Sequence, residues 1–130
     1  MREQPALGFG SIGLLVVDDQ AEIRTMIKDS AVDDGRFCIV GLAADADEAL
    51  DLARQTQPEA VILDHRMPAK SGLDVLPELR EALPQAVIIL WSSEGADKSL
   101  ACSLGATDAL EKTATIYAVL DAIAEHQRVN

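Results

Sequence analysis

Basic residues are scarce in this chain: 11 Lys and Arg stand against 22 Asp and Glu in 130 residues, a formal net charge of −11. Such a chain lacks the basic patches that hold nucleic acid or an anionic membrane surface, which argues against direct binding to either. Cysteine is nearly absent. Cys38 and Cys102 are far apart and neither belongs to a CxxC pair, so two reduced, buried thiols are expected rather than a disulfide. No apolar run approaches the roughly 20 residues of a membrane span. The run Ile12–Val17 stops at two aspartates instead of building a signal-peptide core, so a cytoplasmic location is expected. Internal repeats, low-complexity tracts and linkers are also missing. With 48% hydrophobic and 25% charged residues, the chain has the composition of a soluble globular protein. Its length suits one domain that buries roughly two-thirds of its unfolded surface.

What is present is a set of short apolar segments that end on charge. Leu14-Leu15-Val16-Val17 runs into Asp18 and Asp19, and Ala60-Val61-Ile62-Leu63 runs into Asp64. Asp108-Ala109-Leu110-Glu111 is followed by Lys112. Segments this apolar read as strands buried on both faces, the mark of a parallel sheet. In an open α/β sheet, ligands bind beyond the carboxyl ends of the strands. Three acids gathered there repel one another, and each favours its neutral form unless a cation joins them. All-oxygen ligation suits Mg2+, which takes one or two carboxylates and keeps its other positions for water and phosphate. The pattern implies chemistry on a phosphoryl group, with the metal and Lys112 as counter-charges.

Strand and helix patterns alternate five times. Residues 1–11, with Pro5, Gly8 and Gly10, read as a flexible leader, and residues 12–127 as the domain. Strands are expected at Ile12–Val17, Phe37–Ala43, Ala60–Leu63, 86–91 and Asp108–Glu111. Helices are expected at 21–33, 47–55, 73–82, 97–103 and 115–127. The first carries Ile23, Met26, Ile27 and Ala31 on one face, and the second turns Ala49, Leu50, Leu52 and Ala53 inward. Pro77 falls inside the third, where it is tolerated near the first turn and kinks the helix if deeper. Trp91 and Ile88-Ile89-Leu90 read as core. His65 reads as an exposed loop histidine, and His126 as a dipole contact near a helix end. A (βα)5 alternation of this length means a three-layer α/β sandwich with right-handed crossovers.

These residues carry a resemblance. The pair Asp18-Asp19, the segment Asp64-His65-Arg66-Met67-Pro68 with Gly72, a hydroxyl after the fourth strand, and Gly105-Ala106 ahead of Lys112 together resemble a response-regulator receiver domain over residues 12–126. The resemblance implies a flavodoxin-like doubly wound parallel sheet of order 2-1-3-4-5. It implies that Asp64 is the phosphoacceptor, a carboxylate nucleophile that becomes an aspartyl phosphate. Asp19 resembles a direct Mg2+ ligand, Asp18 one acting directly or through water, and the backbone carbonyl of Arg66 would complete the protein's share. Lys112 would pair with a phosphoryl oxygen, and Ser92 would be the hydroxyl that swings toward it. Met67-Pro68 and Gly72 shape the following loop, with Gly72 expected to take a backbone geometry that other residues resist. The implied partners are a sensor histidine kinase or phosphotransfer protein and a downstream protein or output domain. A homodimer through the face of helix four, strand five and helix five is one use of phosphorylation. The implied protein is a signalling phosphoacceptor that catalyses only its own phosphorylation and dephosphorylation.

Some positions depart from the family pattern. Ser92-Ser93 leaves two hydroxyls to choose between, and Thr113 stands where a proline often follows the lysine. Ala109 replaces the usual aromatic of the fifth strand, so the switch is expected in the loop at 92–96 rather than in that strand. Arg66 and Glu94 are expected to flank the mouth of the site as an ion pair. Three rival classes remain. A haloacid-dehalogenase-like phosphatase needs a second Asp where Arg66 stands. A cobalamin-binding domain needs His and Gly where Arg66 and Ala69 stand. A receiver-like interaction module that is never phosphorylated would commonly lose the acids and lysine kept here.

Overall fold

The computed structural model describes residues 8, 10–93 and 97–128, and in them strands and helices alternate. They are β1 (Ile12–Val17), α1 (Ala21–Asp34), β2 (Phe37–Ala43), α2 (Ala46–Thr56), β3 (Ala60–Leu63), α3 (Gly72–Ala82), β4 (Val87–Ser92), α4 (Lys98–Leu104), β5 (Asp108–Glu111) and α5 (Ile116–Arg128). The strands form one sheet in the order β2-β1-β3-β4-β5, and every pairing is parallel. The expected doubly wound α/β sandwich is the observed one. Residues 1–7 and 9 of the expected leader lie outside the described residues, while the Gly10 N–H already donates to the Phe37 carbonyl.

Burial explains the strand order. Every residue of β3 and β4 is buried, and in β1 only Ile12 is not, because helices cover both faces of these central strands. At one edge β2 alternates between buried and half-buried residues, and at the other β5 is half-buried with an exposed end. Successive residues point to opposite faces, so the core divides in two. Leu15, Val17, Val61, Leu63, Ile88 and Leu90 pack under α2, α3 and α4. Leu14, Val16, Ile62, Ile89 and Trp91 pack under α1 and α5.

Local chemistry sets the helix ends. Asp45 accepts the Glu48 N–H ahead of α2, and Ser71 with Asp74 forms a capping box on α3. Asp97 accepts the Leu100 N–H ahead of α4, so that helix begins after residue 97 rather than on it. Each such cap contributes about 1 kcal/mol. The helix α3 continues through Pro77, whose ring is exposed. Met26 is 36% exposed, so the buried stripe of α1 is narrower than expected and centres on Ile27 and Ala31. The two thiols are free, but Cys38 is half-buried and Cys102 exposed, not buried as expected.

Arg80 is a structural residue that the pattern of the sequence does not announce. From α3 its guanidinium donates to the carbonyls of Leu83, Ala86 and Gly105 and to the Thr107 hydroxyl, at 2.8–3.2 Å. Burial pulls its pKa below the usual arginine value. The arrangement joins the end of α3 to the starts of β4 and β5. Gly105, at φ +127, lies so close that a Cβ there would sit 2.7 Å from Arg80 Cβ.

Candidate functional site

The site is built by register at the carboxyl rim of the sheet. Val17 pairs with Leu63 and Leu63 with Leu90, so one further step brings Asp18, Asp64 and Trp91 side by side. Trp91 pairs with Leu110, and Lys112 follows two residues later on the same face. Backbone bonds fix the frame. The Asp18 N–H donates to the Ala43 carbonyl, the Asp64 N–H to Val17, and the Lys112 N–H to Ser92. The three acids of the sequence pattern therefore converge: carboxylate oxygens of Asp18, Asp19 and Asp64 lie within 4.8 Å of one another. Asp18 and Asp64 are buried, at 1% and 7% exposed, while Asp19 faces solvent.

Lys112 reaches into this cluster. Its Nζ stands 3.1 Å from Asp18 Oδ2 and 3.4 Å from Asp64 Oδ1. The His65 N–H donates to the same Asp64 oxygen at 2.9 Å, and the Gln20 N–H donates to Asp18 Oδ1 at 2.9 Å. Burial and the neighbouring charge of Asp18 nevertheless push the Asp64 carboxyl above its ordinary pKa, against the pull of Lys112 and His65. A carboxylate held in this state gains from any further cation. The donor set, three carboxylates and no sulfur or imidazole among them, fits a hard divalent ion of the Mg2+ type.

An open cleft of about 730 Å3 exposes the cluster; Asp19, Asp64, Arg66, Ser93 and Lys112 are among the residues that line it. Ser92, the expected hydroxyl, is the last residue of β4 and is 2% exposed. Its neighbour Ser93 lines the cleft, as does Ser71. Glu94 and the rest of the expected switch loop, 94–96, lie outside the described residues, and with them the expected Arg66–Glu94 pair. Gly72 is needed for a different reason than expected. Its backbone is not in the left-handed region, where Ala69 stands instead at φ 68. A Cβ at Gly72 would run into the Asp64 carbonyl oxygen, and the Gly72 N–H donates to the His65 carbonyl. His65 is half-buried rather than exposed, and its Nδ1 is shielded with no hydrogen-bond partner.

Trp91 is both core and site. Its ring is 4% exposed on the α1 and α5 face, the Lys112 Nζ lies 5.3 Å from the ring centroid, and Nε1 donates to the Ala114 carbonyl at 3.2 Å. Reading it as core alone missed the lysine. The two-residue step from Ile89 to Trp91, matched by the two-residue step from Leu110 to Lys112, is the signal that puts them on one face.

Fold and site together define a flavodoxin-like α/β domain with an acidic, lysine-bridged cleft at its carboxyl rim. The family model for the response regulator receiver domain matches residues 14–124, and the chain belongs to that family. It is 41% identical over 105 residues to protein-glutamate methylesterase/protein-glutamine glutaminase 2 of Shewanella sp. strain MR-4. It is 39% identical over 104 residues to the protein of the same name from Pseudomonas aeruginosa. Each alignment covers 78% of this chain and 30% of the relative, so the chain spans about a third of those proteins. The response regulator domain of Thermotoga maritima CheB superposes with a TM-score of 0.79 at 29% identity, covering 92% of this chain and 98% of that one. The receiver domain of Francisella response regulator 1452 gives 0.80 at 25% identity, covering 92% and 100%. No helix among the described residues is long and apolar enough to cross a membrane.

Proposed function

We propose that this receiver domain accepts a phosphoryl group on Asp64 from a histidine kinase or phosphotransfer protein and thereby changes its affinity for a downstream partner. The observation that carries this reading is the meeting of Asp64 with two further acids and Lys112 at one open rim. Asp18, Asp19, Asp64 and the Arg66 carbonyl would hold Mg2+, which supplies neutralising charge for the phosphoryl oxygens. Lys112 and the His65 N–H both hold Asp64 Oδ1, so the attack is assigned to the opposite oxygen, Oδ2. As Oδ2 bonds to phosphorus, the P–N bond of the donor phosphohistidine breaks, and its ring, already protonated on the other nitrogen, leaves as neutral imidazole. Lys112 then turns to a phosphoryl oxygen, and the Ser92 hydroxyl, buried at the end of β4, swings into the cleft to donate to another. The protein supplies placement and charge, and the donor supplies the phosphate.

The domain would act in the cytoplasm and perform no turnover beyond gaining and losing its own phosphoryl group. The relatives' names make a protein-glutamate methylesterase the first output to test. Incubation with acetyl phosphate and Mg2+ should add the mass of one phosphoryl group, with acetate leaving, and Asp64→Asn should add none. No adduct on the parent protein would favour an interaction module that is never phosphorylated. A full-yield adduct on the variant would move the nucleophile elsewhere.

A further inference from the structure

We propose that Trp91 is a positioning residue for phosphoryl transfer: its ring face holds the Lys112 ammonium at the place where a phosphoryl oxygen arrives. The inference rests on the phosphoacceptor reading of Asp64. Its basis is geometric. Lys112 Nζ stands over the ring at 5.3 Å while it reaches Asp18 at 3.1 Å and Asp64 at 3.4 Å. The ring cannot swing aside. It is buried among Leu110, Ile89 and Ile116, and its Nε1 is tied to the Ala114 carbonyl in the turn that follows Lys112. One side chain thus supports the lysine from below and anchors the backbone just beyond it.

The need for such support follows from the chemistry of the site. A divalent cation drawn to Asp18 and Asp64 competes with Lys112 for the same carboxylates. The lysine side chain is 21% exposed on a flexible stem, so without its anionic partners it is free to leave through the cleft. An aromatic face attracts the ammonium without competing for the metal and without neutralising the charge. Lys112 therefore stays in place for the phosphoryl oxygens.

Trp91→Phe keeps a ring face and removes the N–H, whereas Trp91→Leu keeps apolar bulk and removes the face. The initial rate of phosphorylation by acetyl phosphate at saturating Mg2+ should fall about tenfold in Trp91→Leu, the size of a partly desolvated cation–π contact. The final yield should be unchanged, and Trp91→Phe should stay within about twofold of the parent. In a Lys112→Gln background, Trp91→Leu should cause no further loss, which a purely structural role would not give. A parent rate in Trp91→Leu, a Trp91→Phe as slow as the leucine variant, or equal slowing in the Lys112→Gln background would overturn the proposal. The emission of the sole tryptophan, compared between the parent and Lys112→Gln without any phosphodonor, tests the contact even where a Trp91 variant does not fold. Different spectra support it and identical spectra sink it. If the parent itself takes up no phosphate, the phosphoacceptor reading fails, and the emission comparison still decides the contact.

Discussion

The two rims of the sheet solve opposite electrostatic problems. Near the starts of β4 and β5, one half-buried cation, Arg80, is surrounded by neutral acceptors, four carbonyls and a hydroxyl, in good hydrogen-bond geometry. At the carboxyl ends, three carboxylates crowd a single lysine, and Asp64 is pushed above its ordinary pKa. The first rim is complete as it stands and serves stability. The second is short of positive charge and gains from a ligand that brings some. Satisfied polar groups make a fixed structure, whereas unsatisfied charge in a cleft makes a binding site.

The contrast is broken most severely by Arg80→Ala. It strands the carbonyls of Leu83, Ala86 and Gly105 at the interior end of α3 and should cost about 2–4 kcal/mol in urea unfolding. The folded fraction should still be phosphorylated, since the other rim is untouched. A loss below about 0.5 kcal/mol would show that water replaces the guanidinium at no cost.

Filling the deficient rim is the next largest effect. A ligand that binds only the folded state adds about 2.7 kcal/mol at a hundredfold excess over its dissociation constant. Millimolar Mg2+ should therefore raise the melting temperature, and Asp19→Asn should abolish that response. An unchanged melting curve of the parent with Mg2+ would remove the metal from the site.

A smaller shift should come from removing charge instead of adding it. The raised pKa of Asp64 means that the folded state holds its proton more tightly than the unfolded chain does. Stability contributed by this group is then full below the ordinary Asp value and is lost as pH rises through the elevated one. In the metal-free protein at neutral pH, Asp64→Asn should melt a few degrees higher than the parent. The gain should vanish as pH falls below about 4, where the parent carboxyl is protonated in both states. Equal melting temperatures at neutral pH would show that Lys112 fully compensates the carboxylate.

The smallest effect sharpens the chemistry of the cleft alone. Arg66 is exposed at the wall of the cleft, two residues past Asp64. An exposed charge of this kind contributes only about 0–1 kcal/mol to stability. Arg66→Ala should leave the melting temperature nearly unchanged while shortening the aspartyl-phosphate lifetime a few-fold, followed by the release of inorganic phosphate. Indistinguishable release curves would place the arginine outside the chemistry.

The amino-acid sequence by itself determined the strands, their order of appearance and the end of the sheet where the site lies. Uninterrupted apolar runs have only one low-energy home, between two layers of helix, and the acid or lysine that ends each run is carried to the rim. Short-range signals also placed the helices within a residue or two, because caps and glycine stops act over a single turn. Only the tertiary structure decided which atoms meet. Lys112 and Asp18 are 94 residues apart and touch because three strand registers add up. Trp91 supports that lysine for the same reason, and Arg80 finds acceptors on two turns that no local pattern links to it. Gly72 is required by the approach of the Asp64 carbonyl rather than by its own backbone angle, and Ser93 rather than Ser92 meets the cleft. Periodicity reports which side of an element is buried. Contact depends on register, rotamer and the packing of neighbours distant in sequence, and these exist only once the chain has folded.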